Sequence, residues 1–304
     1  MGLTFSPKHD RRYCRNLIKF SVTVVFVAAI VLYIGLPIWD VENALHPTKF
    51  AIGSVSPADL GLNYTDVALY TQDKLTLRGW YVPSTNHAAV ILVHAFNGNR
   101  TGTIYHAALL ARRGYGVLLY DQRATGESDG ENLSWGWRDV ADVSDAVRYL
   151  QTEKGVTPAQ IGVYGCSTGA EIALASTALE ADIHAVTAED AEYSTTRDIL
   201  IMPTWQDRLF FPIYPLFIKV MEWRSGTSAQ ISLSEAVGRI SPRPLLLISN
   251  GSDFDYLQAQ YYVGLAKEPK EHWNLPDSYH CGGLTTHPQE YESKLIGFFN
   301  ASLR

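Results

Sequence analysis

Residues 20–39, FSVTVVFVAAIVLYIGLPIW, carry no charged side chain. A run of this length leaves few structural options. Away from water, each peptide N–H and C=O must be satisfied within the segment, and a single segment can do this only as a helix. At about 1.5 Å per residue, the run rises about 30 Å, the thickness of a bilayer core. A buried helix of a soluble domain keeps a polar face, and this run has almost none. A cleaved signal peptide has a shorter apolar stretch and a small-x-small cleavage site. The residues Leu36, Pro37, Ile38, Trp39 and Asp40 offer no such site. The run therefore reads as an uncleaved, single-pass membrane anchor.

Charge sets its direction. Residues 1–19 hold Lys8, Arg11, Arg12, Arg15 and Lys19 against Asp10, so the net charge of −6 divides into +4 there and −10 beyond. Asp40 and Glu42 follow the run, and Tyr33 and Trp39 lie near its far end, where aromatic rings favour the membrane–water interface. The positive-inside tendency places 1–19 as a cytoplasmic tail and the main domain outside the cytoplasm. An acidic main body lacks the clustered Lys and Arg that phosphate binding needs, so no nucleic-acid partner is expected.

The chain has three cysteines, Cys14, Cys166 and Cys281. This odd, low number predicts no disulfide framework, and none has the paired spacing of a structural zinc site. Cys14 lies beside the apolar run, and palmitoylation or an unmodified thiol are both open there.

Residues 40–63 read as a connector, broken by Pro47, Gly53, Pro57 and Gly61. Beyond it, 64–304 alternates short apolar strands with helical stretches. Strands are expected at 66–70, 75–82, 88–94, 116–121, 160–165, 184–188, 244–249 and 271–275. Helices are expected at 102–113, 137–152, 168–179, 257–266 and 288–300. The first two strands can form a hairpin, and the later alternation argues a mostly parallel α/β sheet with helices on both faces. The alternation stops at about 190–240. There Trp205, Phe210, Phe211, Tyr214, Phe217 and Trp223 are interleaved with Pro203, Pro212 and Pro215. This stretch reads as a small lid insertion, with Trp205 and Phe210 as candidate substrate-binding residues; ordinary packing by two extra helices is the competing reading.

Residues 161–169 read IGVYGCSTG, an apolar strand running into Gly165-Cys166-Ser167-Thr168-Gly169, with the helical stretch AEIALASTAL after it. Strand, sharp turn and helix is the context in which G-x-S-x-G presents a nucleophilic serine. The turn is strained, so the glycines stand where a Cβ would clash. The following helix points its N-terminus at the site and favours a developing oxyanion.

Over about residues 64–302 the chain resembles the α/β-hydrolase superfamily. ILVHAFNGNR (91–100) is similar to its strand-end H-G-x-x-G-N turn, and LLYDQRATGES (118–128) to its D-x-R-G-x-G-x-S motif. SPRPLLLISNGSD (241–253) and SYHCGG (278–283) are similar to its acid-bearing strand end and histidine loop. The resemblance implies the order serine, acid, histidine. Among nine histidines, His280 is the expected general base for Ser167. His94 is its rival, at the strand end where the family places a histidine that brackets the oxyanion loop. Asp253 is the expected acid, with Asp255 the alternative, since Phe254-Asp255-Tyr256-Leu257 replaces the family's usual loop. The oxyanion hole is expected from the N–H groups of Thr168 and, by resemblance, Phe96. Ala95 and Ala124 stand where the family commonly has glycine, which is tolerable where φ is negative.

No phosphate loop or dinucleotide fingerprint occurs, and His280-Cys281 with His287 matches no ligand spacing, so neither cofactor nor metal is expected. The expected function is serine hydrolysis of an ester with an apolar, lipid-like or other small-molecule acyl group, through an acyl-enzyme. A thioesterase or serine peptidase would use the same residues. A non-catalytic, membrane-anchored binding protein on this fold is the alternative from another class.

Overall fold

The computed structural model describes residues 7–200 and 205–303. Residues 1–6 of the basic tail, 201–204 of the expected insertion, and 304 lie outside them. The apolar run is helical throughout and continues further than the sequence implies. Helix α1 (Pro7–Ile30) passes through one π turn (Val31–Gly35) into α2 (Leu36–Leu45). Pro37 explains the π turn: it has no N–H, and its ring crowds the carbonyl four residues back. The turn widens instead, and the Leu36 N–H bonds the carbonyl of Val31, five residues earlier. The expected connector thus starts later than residue 40. Residues 40–45 are helical because α2 buries Val41 and Leu45 in an apolar cluster with Ile218 and Met221.

The main domain is built on eight strands: β1 (Thr65–Tyr70), β2 (Thr76–Val82), β3 (Ala89–Val93), β4 (Gly116–Tyr120), β5 (Ile161–Cys166), β6 (Ala185–Glu189), β7 (Leu245–Asn250) and β8 (Lys270–Leu275). They form one sheet in the order β1-β2-β4-β3-β5-β6-β7-β8. β1 and β2 form the expected antiparallel hairpin, β2 joins β4 antiparallel, and the remaining pairs are parallel.

The central strands are buried on both faces, which is why AVILV, GVLLY and LLLIS read as continuous apolar runs. One face packs on α4 (Asp139–Lys154), α5 (Thr168–Leu179), α8 (Leu233–Ile240) and α9 (Asp253–Leu265), through residues such as Val143, Ile172, Val237 and Tyr262. The other packs on α3 (Ile104–Ala111) and α11 (Pro288–Ser302), through Leu110, Leu295 and Phe299. Parallel strands bring their carboxyl ends to one edge. The order reverses between β3 and β5, the crevice where open α/β sheets place their ligands.

The insertion contains α6 (Trp205–Phe210) and α7 (Ile213–Ser225). It is shorter than the expected 190–240: α8 buries Leu233, Ala236, Val237 and Ile240 in the sheet's own core. The appended part is α6–α7, and α7 packs on α2.

Candidate active site

Ser167 joins β5 to α5 with φ 54° and ψ −128°, a conformation that L-residues disfavour. The surroundings impose it. A Cβ at Gly165 would lie 2.0 Å from the Gly169 carbonyl oxygen, and one at Gly169 would lie 2.3 Å from that of Val93. Strand β3, strand β5 and helix α5 therefore meet only because both positions are glycine. The Ser167 N–H donates to the Glu189 carbonyl at 2.9 Å, which ties the turn to the end of β6. Thr168 opens α5, where first-turn N–H groups have no partner within the helix.

Phe96 follows β3 in a tight turn closed by the Gly98 N–H on the Ala95 carbonyl at 3.0 Å. His94 supports this turn. Its Nδ1 lies 2.8 Å from the Ala95 carbonyl, and its Nε2 accepts the Gln122 N–H at 3.1 Å. Burial pushes its pKa down to about 4, so the ring is neutral. With both ring nitrogens engaged inside the protein, His94 is a brace rather than a base. Ala124 departs from expectation: its φ is +60°, in the left-handed region, so the alanine sits where glycine would be relaxed.

His280 lies in the loop between β8 and α10 (Gly283–Thr286). Its Nδ1 is 3.3 Å from the Asp255 carboxylate and 3.9 Å from that of Asp190. Asp255 is buried in the first turn of α9, where the Ser252 hydroxyl donates to it at 2.7 Å and accepts its N–H at 2.9 Å. The structure does not bring Asp253 to the histidine. Asp253 is the first residue of α9 and is exposed, so the carboxylate beside His280 is that of Asp255. α9 begins at 253 rather than 257, and this turns the two aspartates to different sides.

Asp190 was not singled out in the sequence. It follows β6 with φ 54°, and its buried carboxylate accepts the Asn250 N–H at 2.7 Å, the Asn250 side-chain amide at 2.8 Å and the Cys281 N–H at 2.6 Å. Its signal was the acidic pair Glu189-Asp190 at the carboxyl end of a parallel strand. The hydrogen bond to Asp255 raises the pKa of His280 to about 9, and the charges of Asp190, Asp255 and Glu192 add to this against the opposing effect of burial. Burial in turn pushes Asp190 up to about 7. The polar atoms of Asp190, Asp255 and His280 lie within 4.8 Å of one another.

The loops are also joined covalently. Cys166 and Cys281 form a disulfide, with Cα atoms 6.0 Å apart and a sequence separation of 115 residues. This corrects the expectation from cysteine number. The pairing has no short-range spacing to betray it and depends on the fold bringing β5 to the histidine loop. One partner immediately precedes Ser167 and the other immediately follows His280. Among the described residues, no hydrogen bond joins the Ser167 hydroxyl to the imidazole; such contacts often tighten only when substrate is bound.

Trp205 and Phe210 take no part in the aromatic contacts found among the described residues. Both are exposed on α6. The inward rings of the insertion belong to α7: Phe217 meets Trp135 edge-on at 4.9 Å, and Tyr214 meets Tyr193 at 6.0 Å. Trp135 lies 5.2 Å from Phe96, so aromatic contacts run from α7 to the strand-end turn. A cavity of about 780 Å³ is lined by Pro244, Lys270 and Phe298 among others. It lies at the amino ends of β7 and β8, away from this chemistry.

A model of the alpha/beta hydrolase family matches residues 90–293. The protein YfhR of Salmonella typhi, itself uncharacterized, is 23% identical over 306 residues, 96% of this chain and 98% of that protein. A thiohydrolase, aneE, of Aspergillus aculeatus is 35% identical over 115 residues, 36% of each chain. Among solved structures, an esterase of Pyrococcus furiosus superposes with a TM-score of 0.70 at 24% identity, covering 86% of this chain and 98% of its own.

Proposed function

The chain belongs to the alpha/beta hydrolase family, and from that premise we propose that it is a membrane-anchored serine hydrolase that cleaves carboxylic esters through an acyl-enzyme on Ser167. The observation that carries this reading is the strained Ser167 turn, enforced by Gly165 and Gly169. Conformations of this kind cost about 1–3 kcal/mol and cluster at active sites, where the surrounding structure holds them.

In this mechanism, His280 Nε2 removes the Ser167 hydroxyl proton as Oγ attacks the ester carbonyl. Asp255, on Nδ1, holds the tautomer and stabilises the imidazolium, with Asp190 as a second carboxylate nearby. The N–H groups of Thr168 and Phe96 receive the oxyanion. His280 then protonates the leaving alcohol. Water, deprotonated by the same imidazole, attacks the acyl-enzyme and releases the acid. The rings of Tyr214 and Phe217, not those of Trp205 and Phe210, give the site an apolar wall and favour an apolar acyl group. No cofactor enters these steps.

The anchor reading rests on residues 20–39, within a helix long and apolar enough to cross a membrane. The disulfide supports an extracytoplasmic main domain, because such bonds persist in oxidising compartments. The test is turnover of matched p-nitrophenyl esters and acyl thioesters by the native chain and by Ser167→Ala. The account expects ester cleavage in the native chain and its loss in the variant. Cleavage of thioesters alone would reassign the substrate class and leave the nucleophile in place.

A further inference from the structure

The anchor helix and the main domain do not meet end to end; they overlap. Lys19 is the last charge before Asp40. Among the described residues, a hydrogen bond ties the helix to the domain at Tyr33, whose hydroxyl donates to the Leu209 carbonyl of α6 at 3.0 Å. The residues between, 20–32, rise only about 20 Å. A bilayer core is about 30 Å thick. The free part of the helix is therefore too short to cross it, and residues 33–39 must supply roughly the last 10 Å. Those residues run beside α6 and α7.

The exposed side chains of α6 fit that position. Trp205 is 70% exposed, Leu209 47% and Phe210 39%. On the helix itself, Ile34, Leu36, Ile38 and Trp39 are exposed at the same level. An apolar band of this kind in one place marks an interaction surface. Below it in sequence, the contact changes character: Glu42 pairs with Arg224 of α7, which sets the polar boundary just past Trp39.

We propose that α6 and the adjoining turn of α7 are embedded in the outer leaflet of a phospholipid bilayer, at the depth of residues 33–39. Arg208 is exposed on α6, and a side chain of that length is able to keep its charge among the headgroups while its stem lies in apolar surroundings. α7 then has two faces. Its outer face adjoins lipid, and its inner rings, Tyr214 and Phe217, contact Tyr193 and Trp135 beside Phe96. The substrate class this selects is an amphiphile whose acyl chain already lies in the leaflet. The inference rests on the anchor reading above and is tested separately from it.

The experiment uses the full chain with Cys14→Ser, reconstituted in phosphatidylcholine vesicles. Nitroxide labels are placed, one per sample, at Trp205→Cys, Phe210→Cys, Val25→Cys and Tyr70→Cys. Collision with oxygen, which favours lipid, is compared with collision with a water-soluble nickel complex. The expected result is that labels at 205, 210 and 25 favour oxygen several-fold, while the label at 70 favours nickel. A lipid signal at 25 with a water signal at 205 and 210 overturns the embedded insertion and leaves the anchor intact. A water signal at 25 as well overturns both. Labels at 205 and 210 that are shielded from both agents mean that protein covers the surface, which also overturns the proposal.

Discussion

The disulfide between Cys166 and Cys281 fixes the residue before Ser167 to the residue after His280, with Cα atoms 6.0 Å apart. The two loops lie far apart in sequence, and the disulfide adds a covalent tie to a histidine loop otherwise held by hydrogen bonds such as that from the Cys281 N–H to Asp190. His280 itself is partly exposed, and its hydrogen bond to Asp255 is long at 3.3 Å. The bond therefore limits how far the proposed base can drift from the proposed nucleophile. A misplacement of about 1 Å can cost about 10²-fold in rate. Reduction with a phosphine, or the double change Cys166→Ser with Cys281→Ser, is expected to lower kcat by about 10–100-fold with circular dichroism unchanged. Full turnover in the reduced, folded protein would show that the strut has no part in positioning.

The two aspartates make opposite predictions. Asp255→Asn removes the carboxylate beside His280 Nδ1 and is expected to lower kcat by up to about 10⁴-fold, because an amide does not hold the required tautomer. Asp253→Asn changes an exposed residue in the first turn of α9 and is expected to leave kcat within a few-fold of native. Steady-state kinetics on both variants decide the matter. The reverse ranking would return the acid role to Asp253, the residue that sequence reasoning favours. A milder loss in Asp255→Asn with a severe one in Asp190→Asn would move it to Asp190.

How much of this could be read in advance follows from the range of the interactions involved. The eight strands were legible because β-branched and leucine runs alternate with turn residues, a local signal. Ser167 was legible because its strain is resolved by Gly165 and Gly169 within the same pentapeptide. Asp255 was not, because the difference from Asp253 lies in where α9 starts. The Ser252 cap sets that start, and its serine-x-x-acid pattern is the local signal for it. The Cys166–Cys281 bond needed the fold itself. Helices α6 and α7 were obscured by Pro203, Pro212 and Pro215. The exposure of Trp205 and Phe210 was not legible, because an apolar ring carries no label for which side of a helix it occupies.

His280 gives the account a pH signature. Its pKa is raised to about 9, first by the hydrogen bond that Nδ1 donates to Asp255 and then by the neighbouring negative charges. A general base must be neutral to act, so the acid limb of kcat/KM is expected to extend well above an unperturbed histidine's pKa of about 6.5. Asp255→Asn removes the largest cause, so the limb of its residual activity is expected to move to lower pH. The stability contribution has the opposite sense. A raised folded-state pKa stabilises the protein fully below about pH 6.5, and that contribution is lost as pH rises through about 9. A limb near 6.5 in the native protein, unmoved by Asp255→Asn, would mean that the carboxylate does not act on the base.

The central claim is that Ser167 is a nucleophile activated by His280, and covalent labelling tests it most directly. A fluorophosphonate reacts with an activated serine and spares an ordinary one, since an unassisted hydroxyl is a poor nucleophile. The folded, full-length protein is incubated with the probe, digested and sequenced by mass spectrometry, beside Ser167→Ala and His280→Ala. The account predicts one phosphonylated residue, Ser167, with labelling abolished in Ser167→Ala and slowed by orders of magnitude in His280→Ala. Labelling of Ser167→Ala at the native rate, or no labelling of the folded native protein, would contradict it.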